Sequence, residues 1–264
     1  VGAPKITWGG NADGSTDWFD AKADELGVKD GDIARYDDSA GIPFDDIAAT
    51  KPDLILGLSS GVSKEDYDKL SKIAPVVPYT VAPWGTPWQD QLEAIGQALG
   101  QPTQAAALEA ATTKTIADAV AANPQIKGKS AAWAWFSPTD LSTIGLYTTA
   151  DLRPQMLREF GLVDSPTVAE LSKTDPTAFS VNLSAEKAST LVADLVVFYA
   201  AEGTQADDIM GNALLSQIPA LQKKQYVASA DNAIALSMSL PSPLSVTTAT
   251  EVFLPKIASA LNGT

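Results

Sequence analysis

Short apolar runs alternate with stretches of helical period along the first hundred residues. Lys5-Ile6-Thr7-Trp8 reads as an opening β-strand, and residues 44–49 read as a short helix stopped by Thr50-Lys51-Pro52. Residues 53–57, Asp-Leu-Ile-Leu-Gly, form a continuous apolar run of the kind buried parallel strands show. Ser63 is placed to cap a helix over residues 64–73, and Pro75 separates that helix from a strand over 76–79. Pro87 suits the first turn of a helix running to Leu99, and Gly100 suits the position just past its end. This rhythm predicts an α/β lobe with a mainly parallel sheet over residues 1–100.

Residues 102–122 are rich in alanine, with Ala107, Ala111, Ile116 and Val120 at helical spacing, and predict one long helix. Strands over 131–136 and 195–199 and helices over 152–160 and 246–261 then predict a second α/β lobe over residues 125–264. No internal repeat or low-complexity linker interrupts the chain, so structured chain over 101–124 is expected to join the lobes.

Composition narrows the chemistry more than the fold. Hydrophobic residues at 45% and charged residues at 19% describe a chain able to bury a core. The net charge of −14, with no run of basic residues, argues against nucleic-acid and anionic-membrane partners. There is no cysteine and no histidine, which excludes disulfides, thiolate catalysis, Ser-His-Asp triads and histidine-ligated haem or zinc. No apolar run approaches the roughly 20 residues needed to cross a bilayer, so an export signal or lipid anchor would have stood upstream of Val1.

The string Lys51-Pro-Asp-Leu-Ile-Leu-Gly-Leu-Ser-Ser-Gly61, a helix, and then Ile73-Ala-Pro-Val-Val-Pro78 resemble the ferric siderophore and cobalamin binding proteins of ABC importers. Trp88-Gln-Asp-Gln-Leu-Glu-Ala-Ile-Gly-Gln-Ala-Leu-Gly100 and Leu152-Arg-Pro-Gln-Met-Leu-Arg-Glu-Phe-Gly-Leu162 extend the resemblance over nearly the whole chain from residue 40. It implies two Rossmann-like lobes bridged by one long α-helix, with the ligand in a cleft between the lobes, and a monomer without catalysis, cofactor or resident metal. It also implies a periplasmic or cell-envelope location and two partners, a ferric siderophore and an ABC permease. Members of the family usually begin with a strand and helix ahead of the segment resembling residues 1–8, so the first lobe is read as lacking that unit.

The same resemblance implies permease-docking carboxylates at Asp45, in Phe44-Asp-Asp-Ile, and at Glu186, in Val181-Asn-Leu-Ser-Ala-Glu-Lys. Acids favoured by a helix dipole would look the same. Ligand contacts are expected from Trp8 and Trp84, which follow strands at their carboxyl ends, and from the donors of Ser59 and Ser60. The Tyr147-Thr-Thr-Ala-Asp loop is placed at the cleft, with Tyr147 and Arg153 as contacts. Arg35, Arg153 and Arg158 are the chain's three arginines, and this scarcity suits a neutral or cationic chelate as well as an anionic one. Trp133 and Trp135 share one strand face and are assigned to packing. Haem or cobalamin is the alternative ligand within the same fold.

Enzyme readings find less support. Ser184-Ala-Glu-Lys187 fits Ser-x-x-Lys, but the companion Lys-Thr-Gly is absent. Asn11-Ala-Asp-Gly-Ser-Thr-Asp17 hints at a calcium loop, yet Lys22 stands where glutamate is required, and a surface turn is the better reading. No P-loop is present. A carboxylate-dependent hydrolase remains as the enzyme alternative, with no spacing that singles out a pair.

Overall fold

The computed structural model of the chain describes residues 1–29, 31–137, 139–200 and 206–262. It divides into two compact units, Val1–Ala107 and Leu108–Thr264. Each is an α/β lobe.

In the first unit, β1 (Gly2–Pro4), α1 (Asp17–Glu25) and β2 (Ala34–Tyr36) form a strand-helix-strand unit whose strands pair in parallel. After α2 (Phe44–Ala49), β3 (Ile55–Gly57), α3 (Lys64–Leu70) and β4 (Val76–Pro78) repeat it, with β3 and β4 also parallel. The unit closes with α4 (Trp88–Ala98). Ser63 caps α3 as expected: its hydroxyl accepts from the Asp66 N–H at 3.1 Å while the Asp66 carboxylate accepts from the Ser63 N–H at 3.4 Å.

Residues 5–8 are not a strand. The Lys5 N–H adds one bond to the Tyr36 carbonyl at 2.8 Å, but the Ile6 N–H turns to the Gly14 carbonyl at 2.9 Å. The chain there folds back on its own loop, and Trp8 lies in a bend rather than at a strand end.

The division between the units falls inside α5 (Pro102–Ala121), a helix of 20 residues and so about 30 Å long. Its buried positions are Ala105, Thr112 and Ile116, whereas Ala107 and Ala111 are exposed. Thr112 takes part in the buried stripe because its hydroxyl donates to the Leu108 carbonyl at 2.8 Å, one turn back.

The second unit is built on a mixed sheet. Its strands are β5 (Ser130–Phe136), β6 (Thr143–Tyr147), β7 (Val163–Asp164), β8 (Ser180–Ser184), β9 (Leu195–Tyr199) and β10 (Tyr226–Ser229). Their order is β10-β9-β5-β6-β8, with β7 beside the start of β5. β10, β9, β5 and β7 run parallel, whereas β6 and β8 are antiparallel to their neighbours. The strand-helix series read from sequence is therefore interrupted by the antiparallel strands β6 and β8 at one side. Helices α6 (Leu152–Glu159), α7 (Pro166–Ser172), α8 (Ala206–Gly211), α9 (Pro219–Gln222) and α10 (Asn232–Ser239) punctuate the strands. The chain ends in α11 (Val246–Thr248), a π turn over Ala249–Phe253 and α12 (Leu254–Asn262). Leu195 to Phe198 in β9 are fully buried, which places that strand in the core. Asp194 ties its start to β5: the Ser130 N–H and hydroxyl donate to the carboxylate at 2.7 and 2.9 Å. The Ser130 N–H is the main cause of a carboxyl held below its ordinary range.

Candidate functional site

The structure brings Ser59, Ser60 and Trp84 together in the first unit, and Tyr147 and Arg153 together in the second. In the first unit, the apolar strand β3 feeds directly into Leu58-Ser59-Ser60-Gly61. The Ser60 hydroxyl donates to the Gly57 carbonyl at 2.6 Å and so holds its own turn closed. The Ser59 hydroxyl is buried and has no hydrogen-bond partner among the described residues. Trp84 packs on this turn from the loop after β4. Its backbone N–H donates to the Ser60 carbonyl at 3.1 Å, and the benzo ring of its indole lies where a side chain on Gly61 would begin. Trp84 is 46% exposed and Trp8 40%, so both indoles keep a face in solvent.

In the second unit, the start of α6 meets the ends of two strands. Asp151 caps the helix by accepting from the Arg153 N–H at 2.9 Å. The Arg153 side chain turns back, and Nη1 donates to both Asp151 oxygens at 3.0 and 2.9 Å. Nε donates to the Tyr199 hydroxyl at 2.6 Å, and the guanidinium carbon lies 3.9 Å from the centre of the Tyr147 ring. Tyr147 and Tyr199 meet edge to face at 6.4 Å. Beneath them Trp133 lies 5.8 Å from Tyr199 and stacks on Phe253 at 5.3 Å. The result is a cation clamped between a carboxylate and two phenols, on an aromatic floor.

Burial dominates the electrostatics of this group. It raises the Asp151 carboxyl, with the neighbouring guanidinium opposing the effect, and it pushes the Tyr199 and Tyr147 phenols up. Burial also works against the charged Arg153, but the Asp151 carboxylate and the two phenols outweigh it and hold the guanidinium above its ordinary value. Arg153 is a permanent cation whose charge is already matched.

Tyr199 and Asp151 were not singled out as site residues by sequence reasoning. The signal for Tyr199 was a tyrosine closing an otherwise apolar strand; that for Asp151 was its position one residue before a helix. Trp133 is core, as expected, although its indole N–H has no partner among the described residues. Arg158 is anchored to Asp164 at 2.8 Å and to the Thr149 carbonyl at 3.0 Å. Asp45 and Glu186 are both exposed, in the first turns of α2 and of a 3₁₀ helix over Ala185–Thr190. The expected surface turn is confined to residues 12–14, after which Ser15 and Thr16 are buried and Asp17 starts α1; the Asn11 amide donates to Asp20 at 2.8 Å.

The family model described as periplasmic binding protein matches residues 10–232. The chain belongs to that family. It is 30% identical over 191 residues to the ferric enterobactin-binding periplasmic protein FepB of Escherichia coli, a match covering 69% of this chain and 58% of the relative's length. Among solved structures, PiaA of Streptococcus pneumoniae in complex with ferrichrome superposes with a TM-score of 0.90 at 32% identity, covering 99% of this chain and 86% of PiaA. A periplasmic solute binding protein of Mycobacterium smegmatis shares the fold at a TM-score of 0.77 and 22% identity, covering 98% and 85% of the two chains. The two-lobe α/β fold expected from the sequence is the fold of this family.

Proposed function

We propose that this chain is the extracytoplasmic receptor of an iron-siderophore ABC importer, which binds a ferric chelate and hands it to a permease without catalysing a reaction. The observation that carries this reading is the match to PiaA, solved with ferrichrome, along 99% of the chain. The relationship to an enterobactin-binding protein points to the same class of cargo. In this reading the chain works as a monomer, Arg153, Tyr147, Trp84, Trp8 and the Ser59-Ser60 turn contact the chelate, and Asp45 and Glu186 dock on the permease.

The charge at Arg153 favours a neutral ferric hydroxamate over a multiply anionic catecholate, because Asp151 already balances the guanidinium and the chain carries −14 overall. The test is titration with ferric hydroxamates, ferric catecholates, haem and cobalamin, followed by tryptophan fluorescence, with iron-free chelators as controls. Saturable quenching by an iron-loaded siderophore alone supports the reading; a response only to haem or cobalamin, or to nothing, overturns it.

Two results are expected from variants. Asp151→Asn keeps the cap and the side-chain volume but removes the balancing charge. It should raise affinity for an anionic chelate relative to a neutral one by at least about tenfold, the scale of one partly screened unit charge; an unchanged ratio would remove Arg153 from contact with the chelate. Asp45→Ala and Glu186→Ala should each slow uptake through the cognate permease in vesicles while leaving chelate affinity unchanged, and normal uptake by the double variant would remove the docking role.

A further inference from the structure

We infer that Gly61 is a positioning residue for the chelate: its missing side chain seats the Trp84 indole as a preset aromatic platform. This rests on the proposed siderophore reading and deepens it.

Trp84 has φ of +53°, in the left-handed region that a bulky residue rarely occupies. Such a conformation persists where surrounding contacts over-determine it, and here two do. The Trp84 backbone N–H is held by the Ser60 carbonyl at 3.1 Å. The indole itself lies over the backbone of Gly61: a Cβ built there would meet Cη2 at 2.2 Å, Cζ2 at 2.5 Å and Cζ3 at 2.9 Å. The seat exists only because residue 61 has no side chain.

The backbone of Gly61 does not explain its identity, because its φ lies outside the positive range in which glycine is favoured. The three atoms that an added Cβ would meet first all belong to the indole. Holding an indole this firmly while 46% of the residue stays in solvent does little for a core. It does suit a ligand. A flat, polarisable surface whose orientation is set during folding loses little further freedom when a bulky chelate packs on it, whereas a free indole would have to be ordered at that moment.

The experiment compares wild type, Gly61→Ala, Trp84→Ala and the double variant by calorimetric titration with ferrichrome, together with near-ultraviolet circular dichroism and thermal melting. Gly61→Ala should melt within a few degrees of wild type, since the displaced indole is already half in solvent and the stiffer unfolded chain offsets part of the packing lost. It should change the tryptophan dichroism and weaken ferrichrome binding about tenfold, as loss of an anchoring aromatic does. In the Trp84→Ala background the same substitution should change affinity no further. Wild-type binding with undiminished affinity in Gly61→Ala, an unaltered tryptophan signal, or an additive loss in the double variant would each overturn the positioning role and leave the receptor reading standing. Failure of the wild type to bind ferrichrome or any other iron chelate would overturn both.

Discussion

Arg153→Ala is expected to lower the stability of the second unit by about 3–5 kcal/mol, the range found when one partner of a buried ion pair is removed. The Asp151 side chain is 3% exposed, so without the guanidinium its carboxylate would have neither solvent nor a counter-charge. The Tyr199 hydroxyl would lose the donor at 2.6 Å at the same time. Arg153→Met combined with Asp151→Asn should recover most of the loss, because it removes both charges and keeps a helix cap. Urea denaturation of the variants measures this. A loss below about 1 kcal/mol for Arg153→Ala would mean that the pair behaves as a solvated surface bridge.

Phe253→Ala should cost a similar amount, about 3–5 kcal/mol, for a different reason. Phe253 is fully buried at the end of the π turn and stacks on Trp133 with planes 14° apart. Truncation leaves a cavity against a second fully buried ring, and the aromatic floor beneath Tyr199 should loosen with it. The adjacent Val252 is 38% exposed, so Val252→Ala provides the control and should stay within about 0.5 kcal/mol of wild type. Equal unfolding midpoints for the two variants would mean that Phe253 carries no more packing than its exposed neighbour.

Elements carried by strong local signals were legible in the sequence. Residues 44–49 and 195–199 have the bounds expected, and the Ser63 cap, the long helix from Pro102 and the helix from Leu152 fall within a residue or so of theirs. What escaped was set by distant partners. β6 and β8 are short runs, Thr-Ile-Gly-Leu-Tyr and Ser-Val-Asn-Leu-Ser, whose strand character comes from pairing antiparallel with each other and from β6 lying beside β5. Residues 5–8 carry a strand-like pattern, but the backbone of Ile6 is captured by Gly14, which no local propensity encodes. The helix from Val246 looked like one regular element because a π turn continues the helical path and differs from it only in bonding i to i+5, which residue types do not signal.

The candidate site divides in the same way. Arg153 and Tyr147 stand six residues apart, and the resemblance of their stretch to the binding-protein family, with arginine scarce elsewhere, made them readable. Tyr199 joins them from a strand 46 residues further on, a partnership that only the sheet order creates. Trp84 could be suspected from its place after a strand. That Gly61 shapes it could not, because the two are brought together by the pairing of β3 with β4 and the turns that follow.

Trp135 and Gly145 face each other directly across the antiparallel pair β5 and β6. The indole of Trp135 fills the space in which a Cβ on residue 145 would sit, with Cε2 only 2.0 Å from that point. The two positions therefore form a single packing unit. Any side chain larger than hydrogen at 145 requires a smaller residue at 135, and a descendant that shrinks 135 releases 145 to vary. Substitution at these sites should be correlated across relatives, and a library randomising only one of them will recover mostly the parental residue.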